Sequence, residues 1–201
     1  MPKRGSYAKG VAKRDEILTR ALDVVAEQGF RGASVREIAD AVGLSQAGLL
    51  HYFGTKEQLF VEILRKRDEV DLTRFEHGTD APAFLSEDFT GLVAHNAEVP
   101  GLVELFSRMS VEAADTAHPA HDYFVRRGEE VRTSFASALR AQQEAGKLTD
   151  RIAPEVLARI FQAVSDGMQL QWLIDRDVDM AAAVQALFDA LSTEPGPPQR
   201  P

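Results

Sequence analysis

Residues 34–60 limit the possible folds of this chain more than any other stretch, and they read SVREIADAVGLSQAGLLHYFGTKEQLF. Ser34 and Glu37 have the S-x-x-E spacing of a capping box, which predicts that a short helix starts there. Gly43 then ends the helix at a point where a tight turn needs a residue that adopts positive φ. A short capped helix followed by a glycine turn is the first half of a helix-turn-helix.

The second half follows directly. Ser45 is placed to cap another short helix, in which Leu49 and Phe53 point the same way because they are four residues apart. Thr55 and Gln58 form a further capping box, which predicts the start of the next helix. Two short helices joined by a glycine turn predict a helix-turn-helix, whose second helix enters the major groove of DNA. We therefore expect this chain to bind double-stranded DNA.

The same region resembles the tetracycline-repressor (TetR) family over about residues 11–70. The matching positions are Ala21, Gly29, Phe30, 34–39, 42–45, Leu49, 51–53 and 55–60. The chain departs from the family pattern at Leu50, where a phosphate-contacting Tyr is usual, and at Gly48, where Thr or Ser is common. The resemblance implies an all-α fold of about nine helices. An N-terminal three-helix DNA-binding domain would precede a larger helical domain for ligand binding and dimerisation.

The resemblance also implies which residues contact DNA. Arg36, Gln46, Ala47 and Gly48 are expected at base edges, and Ser34, Ser45, Tyr52 and Lys56 at phosphates. For His51, packing against the first helix and contact with a phosphate both stay open. The complete expected set is Ser34, Arg36, Ser45, Gln46, Ala47, Gly48, Leu50, His51, Tyr52 and Lys56.

The charge is unevenly distributed along the chain. The net charge of −8 divides into +2 for residues 1–54 and −10 for residues 55–201, and the first fourteen residues contain basic but no acidic side chains. Such an end attracts DNA, whereas the acidic remainder repels it. A solvated basic tail is the alternative, but its position before the helix-turn-helix favours DNA binding. A nonspecific, architectural DNA-binding protein is the alternative function, although such proteins are usually basic overall.

Periodicity and the positions of proline predict helices throughout the chain. The expected helices are 11–28, 34–41, 45–52, 55–75, 82–97, 101–116, 120–145, 154–175 and 179–192. We expect four regions: a disordered basic arm over 1–10, the DNA-binding domain over 11–56, the ligand-binding and dimerisation domain over 57–193, and a disordered proline-rich tail over 194–201.

The last two helices carry apolar stripes at three- and four-residue spacing. Such a stripe usually packs on the core of its own subunit. The family resemblance implies instead that these helices pair with those of a second copy, because a helix-turn-helix normally reads two half-sites. The expected dimer residues are Leu157, Phe161, Val164, Met168, Trp172, Val184, Leu187, Phe188 and Leu191.

The middle helices supply apolar and aromatic residues that are compatible with a small-molecule pocket between helices. An ordinary core explains these residues equally well, so the resemblance carries the ligand prediction. The effector should be small and mostly apolar, with Arg108 as a further polar contact. The expected pocket residues are Phe84, Phe89, Leu102, Leu105, Phe106, Met109, Tyr123, Phe124, Phe135, Leu139 and Gln171.

Other classes of protein find little support in the sequence. It has no cysteine and no recognisable catalytic or phosphate-binding motif, so we expect neither an enzyme nor a cofactor. Asp115, His118, His121 and Asp122 lie close together and suit zinc or nickel, but Pro119 interrupts them. We interpret this stretch as a polar loop and expect no metal.

The cellular location and the function follow as expectations. There is no secretory signal at the N-terminus and no apolar run of the ~20 residues that span a bilayer, so we expect a cytoplasmic protein without a membrane partner. The helix-turn-helix and the family resemblance together imply a homodimeric transcriptional regulator, a repressor that binds a pseudo-palindromic operator and is released by a small molecule.

Overall fold

A computed structural model describes residues 4–75 and 86–193 of the protein. These residues form nine α-helices and no strand, which confirms the all-α fold class. In chain order the helices are α1 (Arg4–Gly32), α2 (Val35–Ala41), α3 (Gln46–Phe53), α4 (Lys56–Phe75), α5 (Ser86–Asn96), α6 (Pro100–Glu112), α7 (His121–Glu144), α8 (Pro154–Ile174) and α9 (Met180–Leu191).

The first helix differs from the prediction at its start. It begins at Arg4, so the expected disorder of residues 1–10 is wrong for residues 4–10. No proline lies between Pro2 and Pro82, and nothing in the sequence stops the helix from extending toward the N-terminus. Near its other end Gly29 has φ 74° and ψ 166°, a kink where the predicted helix ends. Residues 1–3 and the predicted tail over 194–201 lie outside the described residues.

The described residues divide into two compact units. The N-terminal unit comprises those of Met1–Leu72 together with Val99–Tyr123, and the body unit comprises those of Thr73–Glu98 together with Phe124–Pro201. The N-terminal unit therefore includes α6 and most of α4, beyond the predicted boundary at residue 57. The assignment of DNA binding to 11–56 stays a prediction about function, because packing does not divide the chain at that point.

Within the N-terminal unit α6 packs closely on α1. A Cβ atom added at Gly101 would lie 1.9 Å from the carbonyl oxygen of Val25 and 2.8 Å from Cα of Gly29. Only glycine permits this approach of the two backbones. The buried side chains of the N-terminal unit include Ile17, Ala21, Ile38, Leu49, Leu59, Ile63, Leu64, Val103 and Leu105.

Four phenylalanines from four helices form the centre of the body unit: Phe89 of α5, Phe135 of α7, Phe161 of α8 and Phe188 of α9. The rings of Phe89 and Phe135 stack with centroids 4.9 Å apart. Those of Phe161 and Phe188 are 4.3 Å apart, and Phe135 meets Phe161 edge-to-face at 5.3 Å. Each such pair contributes roughly 0.5–1.5 kcal/mol beyond the burial of its area. We call these four residues the phenylalanine cluster.

Candidate nucleic-acid interface

The start of α2 is fixed by the predicted capping box. The backbone N–H of Glu37 donates to Oγ of Ser34 at 3.3 Å, and the backbone N–H of Ser34 donates to Oε2 of Glu37 at 2.8 Å. The hydrogen bond from the Ser34 side chain, followed by that from its backbone, lowers the pKa of Glu37 below its ordinary value. Ile38 and Ala39 are buried, so α2 turns one apolar side inward.

The turn between α2 and α3 also forms as predicted. Gly43 has φ +68°, a conformation that other residues rarely adopt. The N–H of Leu44 donates to the carbonyl of Ala39 at 2.9 Å, and the N–H of Gly48 donates to Oγ of Ser45 at 3.0 Å. The glycine turn and the serine cap therefore set the direction in which α3 leaves α2.

One side of α3 is buried and the other faces solvent. Leu49 and Phe53 are buried. Among the expected DNA contacts, the exposed ones are Arg36, Ser45, Gln46, Ala47, His51 and Lys56, and the half-buried ones are Ser34, Gly48, Leu50 and Tyr52. No acidic residue occurs from Ser45 to Lys56. The structure thus brings the predicted contacts to the accessible surface of α2, α3 and the start of α4.

Arg36 lies on α2 and pairs with an acidic side chain of the same helix. Nε of Arg36 lies 3.8 Å from Oδ2 of Asp40, and both side chains are well exposed.

At the start of α4, the N–H of Thr55 donates to Oε1 of Gln58 at 3.0 Å, which is half of the predicted capping box. The N–H of Gln58 completes it by donating to Oγ1 of Thr55 at 3.2 Å. Lys56 follows this cap and is exposed.

Arg14 has a role that the sequence analysis missed, since it was counted there only as part of the basic N-terminus. Its Nη1 donates to the carbonyl of Tyr52 at 2.8 Å, and its Nη2 lies 3.0 Å from Oε2 of Glu62. The guanidinium also stacks over the ring of Phe53, 4.6 Å from its centroid. A basic residue thirty-eight positions before its acceptor gives no local signal, so only the fold reveals that Arg14 holds the end of α3.

The predicted pocket residues divide between the two compact units. Leu102, Leu105, Phe106, Met109 and Tyr123 lie buried in the N-terminal unit, whereas Phe89, Phe135 and Leu139 lie buried in the body unit. Phe124 is half-buried, Gln171 is exposed, and Phe84 lies outside the described residues. The prediction of one shared lining is therefore wrong for Gln171, while Phe89 and Phe135 belong to the phenylalanine cluster.

Two side chains predicted to contact the polar part of the ligand already have partners within the chain. The hydroxyl of Tyr123 donates to Oδ2 of Asp68 at 2.7 Å, and Nε of Arg108 donates to Oε1 of Glu104 at 2.9 Å. A cavity of about 410 Å³ does occur, but it is an open groove along α7. None of the predicted residues lines this groove, which is bordered by Arg126, Glu129, Glu130, Thr133 and Ser134.

Some of the predicted dimer residues are buried within the chain and others are half-buried. Five of them are buried inside their own chain, and for these five the assignment to a dimer interface is wrong: Leu157, Phe161, Trp172, Val184 and Phe188. The other four, Val164, Met168, Leu187 and Leu191, are half-buried. For the buried five, the alternative that the stripe packs on its own core is correct, because α8 and α9 place them against the body unit's own helices.

A different face of α8 is apolar and accessible. Val156, Ile160, Leu170 and Ile174 are 51, 37, 47 and 89% exposed, and Ala163 and Gly167 lie between them. These six residues alternate at steps of four and three, which places them in one stripe along the helix. We call them the α8 outer stripe.

The polar residues near Pro119 have local structural roles. Nδ1 of His121 hydrogen-bonds the carbonyl of Ala113 at 2.9 Å, and Nδ1 of His118 accepts from the N–H of Ala120 at 3.2 Å. Oδ1 of Asp115 accepts from the N–H of Ala117. No group of three or more potential metal ligands occurs among the described residues.

Comparison with known proteins agrees with this geometry. A family model described as "Bacterial regulatory proteins, tetR family" matches residues 17–63. The "HTH-type transcriptional regulator TcmR" of Streptomyces glaucescens is 23% identical over 185 residues, which is 90% of this chain and 81% of that protein. The "HTH-type transcriptional repressor Rv1474c" of Mycobacterium tuberculosis is 26% identical over 180 residues, 89% of this chain and 91% of that one.

Solved structures share the fold over nearly the whole chain. A TetR transcription regulator from Haloarcula marismortui superimposes with a TM-score of 0.74 at 20% identity, covering 91% of this chain and 100% of that one. A transcriptional regulator from Saccharomonospora viridis in complex with choline gives 0.68 at 21% identity, covering 91% and 98%. None of the described helices is long and apolar enough to cross a membrane. In its helix-turn-helix, its relatives and its fold, the chain is similar to the tetR family of bacterial regulatory proteins, whose model matches the N-terminal part of the chain.

Proposed function

We propose that the protein is a homodimeric, cytoplasmic repressor that binds a pseudo-palindromic operator through α3. A small, mostly apolar molecule would bind the remainder of the chain and release the DNA. The observation that carries the proposal is the surface of α2 and α3, where Arg36 and Gln46 are exposed and the segment from Ser45 to Lys56 is free of acidic residues. The name of the mycobacterial relative, a transcriptional repressor, supports repression over activation.

Contacts with base edges and contacts with phosphates have different effects at this surface. Arginine pairs bidentately with guanine and glutamine with adenine, and each pair contributes roughly 1–3 kcal/mol of discrimination. Arg36 and Gln46 therefore specify sequence. Lys56 meets a phosphate, which strengthens binding to every duplex and makes it salt-dependent.

The experiment measures binding to an operator selected from random duplexes and to an unselected duplex, at several salt concentrations. We expect Arg36→Ala and Gln46→Ala to reduce the preference for the operator, while Lys56→Ala weakens both duplexes equally and flattens the salt dependence. A wild-type protein that binds both duplexes alike as salt rises would instead be an architectural DNA-binding protein. Equal loss of preference in all three variants would contradict the division between base and phosphate contacts.

The α8 outer stripe supports dimerisation. An apolar stripe with alternating steps of four and three is the pattern by which helices pair, and Gly167 near its middle permits close approach. A dimer with two-fold symmetry reads two half-sites whose centres lie about one helical turn of DNA, ~10 bp, or somewhat more apart. The interface is thus proposed on this stripe and not on the five residues that the chain buries itself.

Ligand control is supported by the shared fold, since one structural neighbour was solved in complex with choline. A ligand can release DNA only if it binds the non-DNA conformation more tightly. The coupling is typically ~1–3 kcal/mol and is reciprocal, so the operator must weaken ligand binding by the same factor. Ligand control can therefore be tested by measuring ligand affinity with and without the operator.

A further inference from the structure

Helix α8 carries two buried oxygen atoms with which no group in the described part of the chain forms a hydrogen bond. They are Oγ of Ser165 and Oε1 of Gln169. The two side chains are only 8% and 6% exposed. Because the residues are four apart, both lie on one face of the helix. Buried oxygens of this kind are costly unless a donor reaches them, and each therefore calls for an explanation.

The neighbouring polar positions of α8 differ from this pair. Oε1 of Gln162 accepts a hydrogen bond from Nη1 of Arg132 at 3.1 Å. Asp166 faces the positive charge of Arg127, although its burial raises the pKa of the carboxyl above its ordinary value. The fold thus supplies partners from α7 to the positions beside Ser165 and Gln169. Among the described residues, none is a hydrogen-bond partner of the pair's two oxygens.

Aromatic side chains lie on either side of the pair along the same face. Phe161 of the phenylalanine cluster precedes Ser165 by one turn and is fully buried. Trp172 follows Gln169 by three residues and is 6% exposed. A short neutral polar strip between buried aromatic rings has the composition of a small-molecule site, in which a few polar groups orient a mostly apolar ligand.

We propose that Ser165 and Gln169 hold the polar end of the effector, and that the effector is a neutral molecule with a hydroxyl or amide donor on an apolar skeleton. The inference rests on the proposed ligand control. Oε1 of Gln169 can only accept a hydrogen bond, whereas the hydroxyl of Ser165 can accept one or donate one, so the ligand must donate at least to Gln169. Neither residue carries a charge to pair with an ionised ligand, and burying an unpaired charge is costly.

The test uses four probes of similar length: 1-octanol, octanamide, heptyl methyl ether and octanoate. The first two donate a hydrogen bond, the ether only accepts one, and octanoate is charged. We expect 1-octanol and octanamide to bind the full-length protein, measured by calorimetry, and to lower its affinity for the selected operator. The ether and octanoate should bind about tenfold or more weakly than 1-octanol, because they offer no donor or bring a charge.

Variants locate the site. Ser165→Ala and Gln169→Met remove one acceptor each at nearly constant volume, so each should weaken 1-octanol and octanamide roughly three- to tenfold. Binding of the ether should not change in Gln169→Met, because the ether has no donor for Oε1 of Gln169. The Tm of Ser165→Ala and of Gln169→Met should stay equal to that of the wild type or rise, because each substitution removes an unsatisfied oxygen. Gln171→Met is the control, the same substitution on the same helix at an exposed position, and it should leave probe binding unchanged.

Three results would overturn the proposal. The first is a wild-type protein that binds none of the probes, or binds octanoate best. The second is unchanged probe binding in both variants. The third is a lower Tm in both, which would assign the two oxygens to the internal support of the fold. Operator binding without any probe is measured on the same preparation, so a failure of the proposed DNA-binding function is seen separately.

Discussion

Arg14 lies on α1 but contacts the far end of α3, the second helix of the helix-turn-helix. Its guanidinium donates to the carbonyl of Tyr52, pairs with Glu62 and covers the ring of Phe53. The Tyr52 carbonyl belongs to the last turn of α3, where carbonyl groups lack partners within the helix. One side chain therefore fixes both the end of α3 and its position against α4.

Replacing Arg14 with alanine should lower the free energy of unfolding by about 1 kcal/mol, since a part-exposed hydrogen bond, ion pair and cation–π contact are lost together. Operator binding should weaken, because α3 is held less firmly. Denaturant unfolding and operator titration check the two effects. Arg20→Ala is the control, since Arg20 lies on the same helix and its one ion pair with a described residue is with the exposed Asp23. Equal operator affinity in the Arg14 and Arg20 variants would contradict the positioning role.

Helix α1 is held at two points along its length by different physical means. At its C-terminal end, the backbone of α6 fits against it at Gly101. Farther toward its N-terminal end, Lys66 of α4 forms ion pairs with Asp15 of α1 and with Glu69. Steric fit does not depend on pH, whereas the ion pairs do, so the two contacts can be separated by experiment.

Gly101→Ala should destabilise the protein by several kcal/mol, because the added methyl group would overlap the Val25 carbonyl and the two helices must move apart. Thermal unfolding measures the effect. Gly10→Ala is the matched control: Gly10 is helical and a Cβ there has nothing within 4 Å, so this variant should gain roughly 0.5–1 kcal/mol. A Gly101 variant as stable as the wild type would show that α6 does not pack on α1 in this way.

The ion pairs of Lys66 predict a pH dependence. Nζ lies 2.7 Å from Oδ1 of Asp15 and 3.2 Å from Oε2 of Glu69. The hydrogen bond to Asp15 raises the pKa of Lys66 above its ordinary value of 10.5, although partial burial opposes this. A raised lysine pKa stabilises the folded state fully below the unfolded value, and the stabilisation is lost as pH rises through the folded value.

The stability difference between wild type and Lys66→Met should therefore stay constant between about pH 7 and pH 9 and shrink once the pH exceeds about 10.5. Urea unfolding across this range measures the difference. Lys147→Met, at an exposed position, should show no such change. A difference that remained constant to the highest pH at which the protein folds would show that the ammonium charge is not responsible.

At the scale of the whole molecule, α8 presents two apolar faces with different roles. The inner face places Phe161 in the phenylalanine cluster, where it has no exposed surface. The α8 outer stripe leaves Ile174 89% exposed and Val156 51% exposed. Exposed apolar side chains in a continuous stripe are typical of a surface that another protein covers.

A charge placed on the α8 outer stripe and a charge placed on the inner face of α8 should have different consequences. Ile160→Glu and Leu170→Glu should give folded monomers, because only the contact with a second copy is lost. Phe161→Glu should unfold the chain, because a charge would be buried without a partner. Sedimentation velocity and circular dichroism separate the cases. A wild-type protein that sediments as a folded monomer at micromolar concentration would rule out the dimer.

The sequence determined the local structure of this protein. The capping box at Ser34, the positive-φ turn at Gly43 and the cap at Ser45 depend on residues a few positions apart, and all three occur as predicted. Helix periodicity depends equally on near neighbours. The family resemblance used these same local signals, so it identified the helix-turn-helix and the all-α fold.

Only the tertiary structure decided which face of each helix meets which neighbour. Phe161 and Ile160 are adjacent in sequence and both apolar, yet one is fully buried and the other 37% exposed. Arg14 and Tyr52 are thirty-eight residues apart, and Gly101 meets Val25 across two different helices. A periodic stripe shows that a helix has an apolar side but not what covers it. Burial depends on the arrangement of all the helices at once, and no short stretch of sequence contains that information.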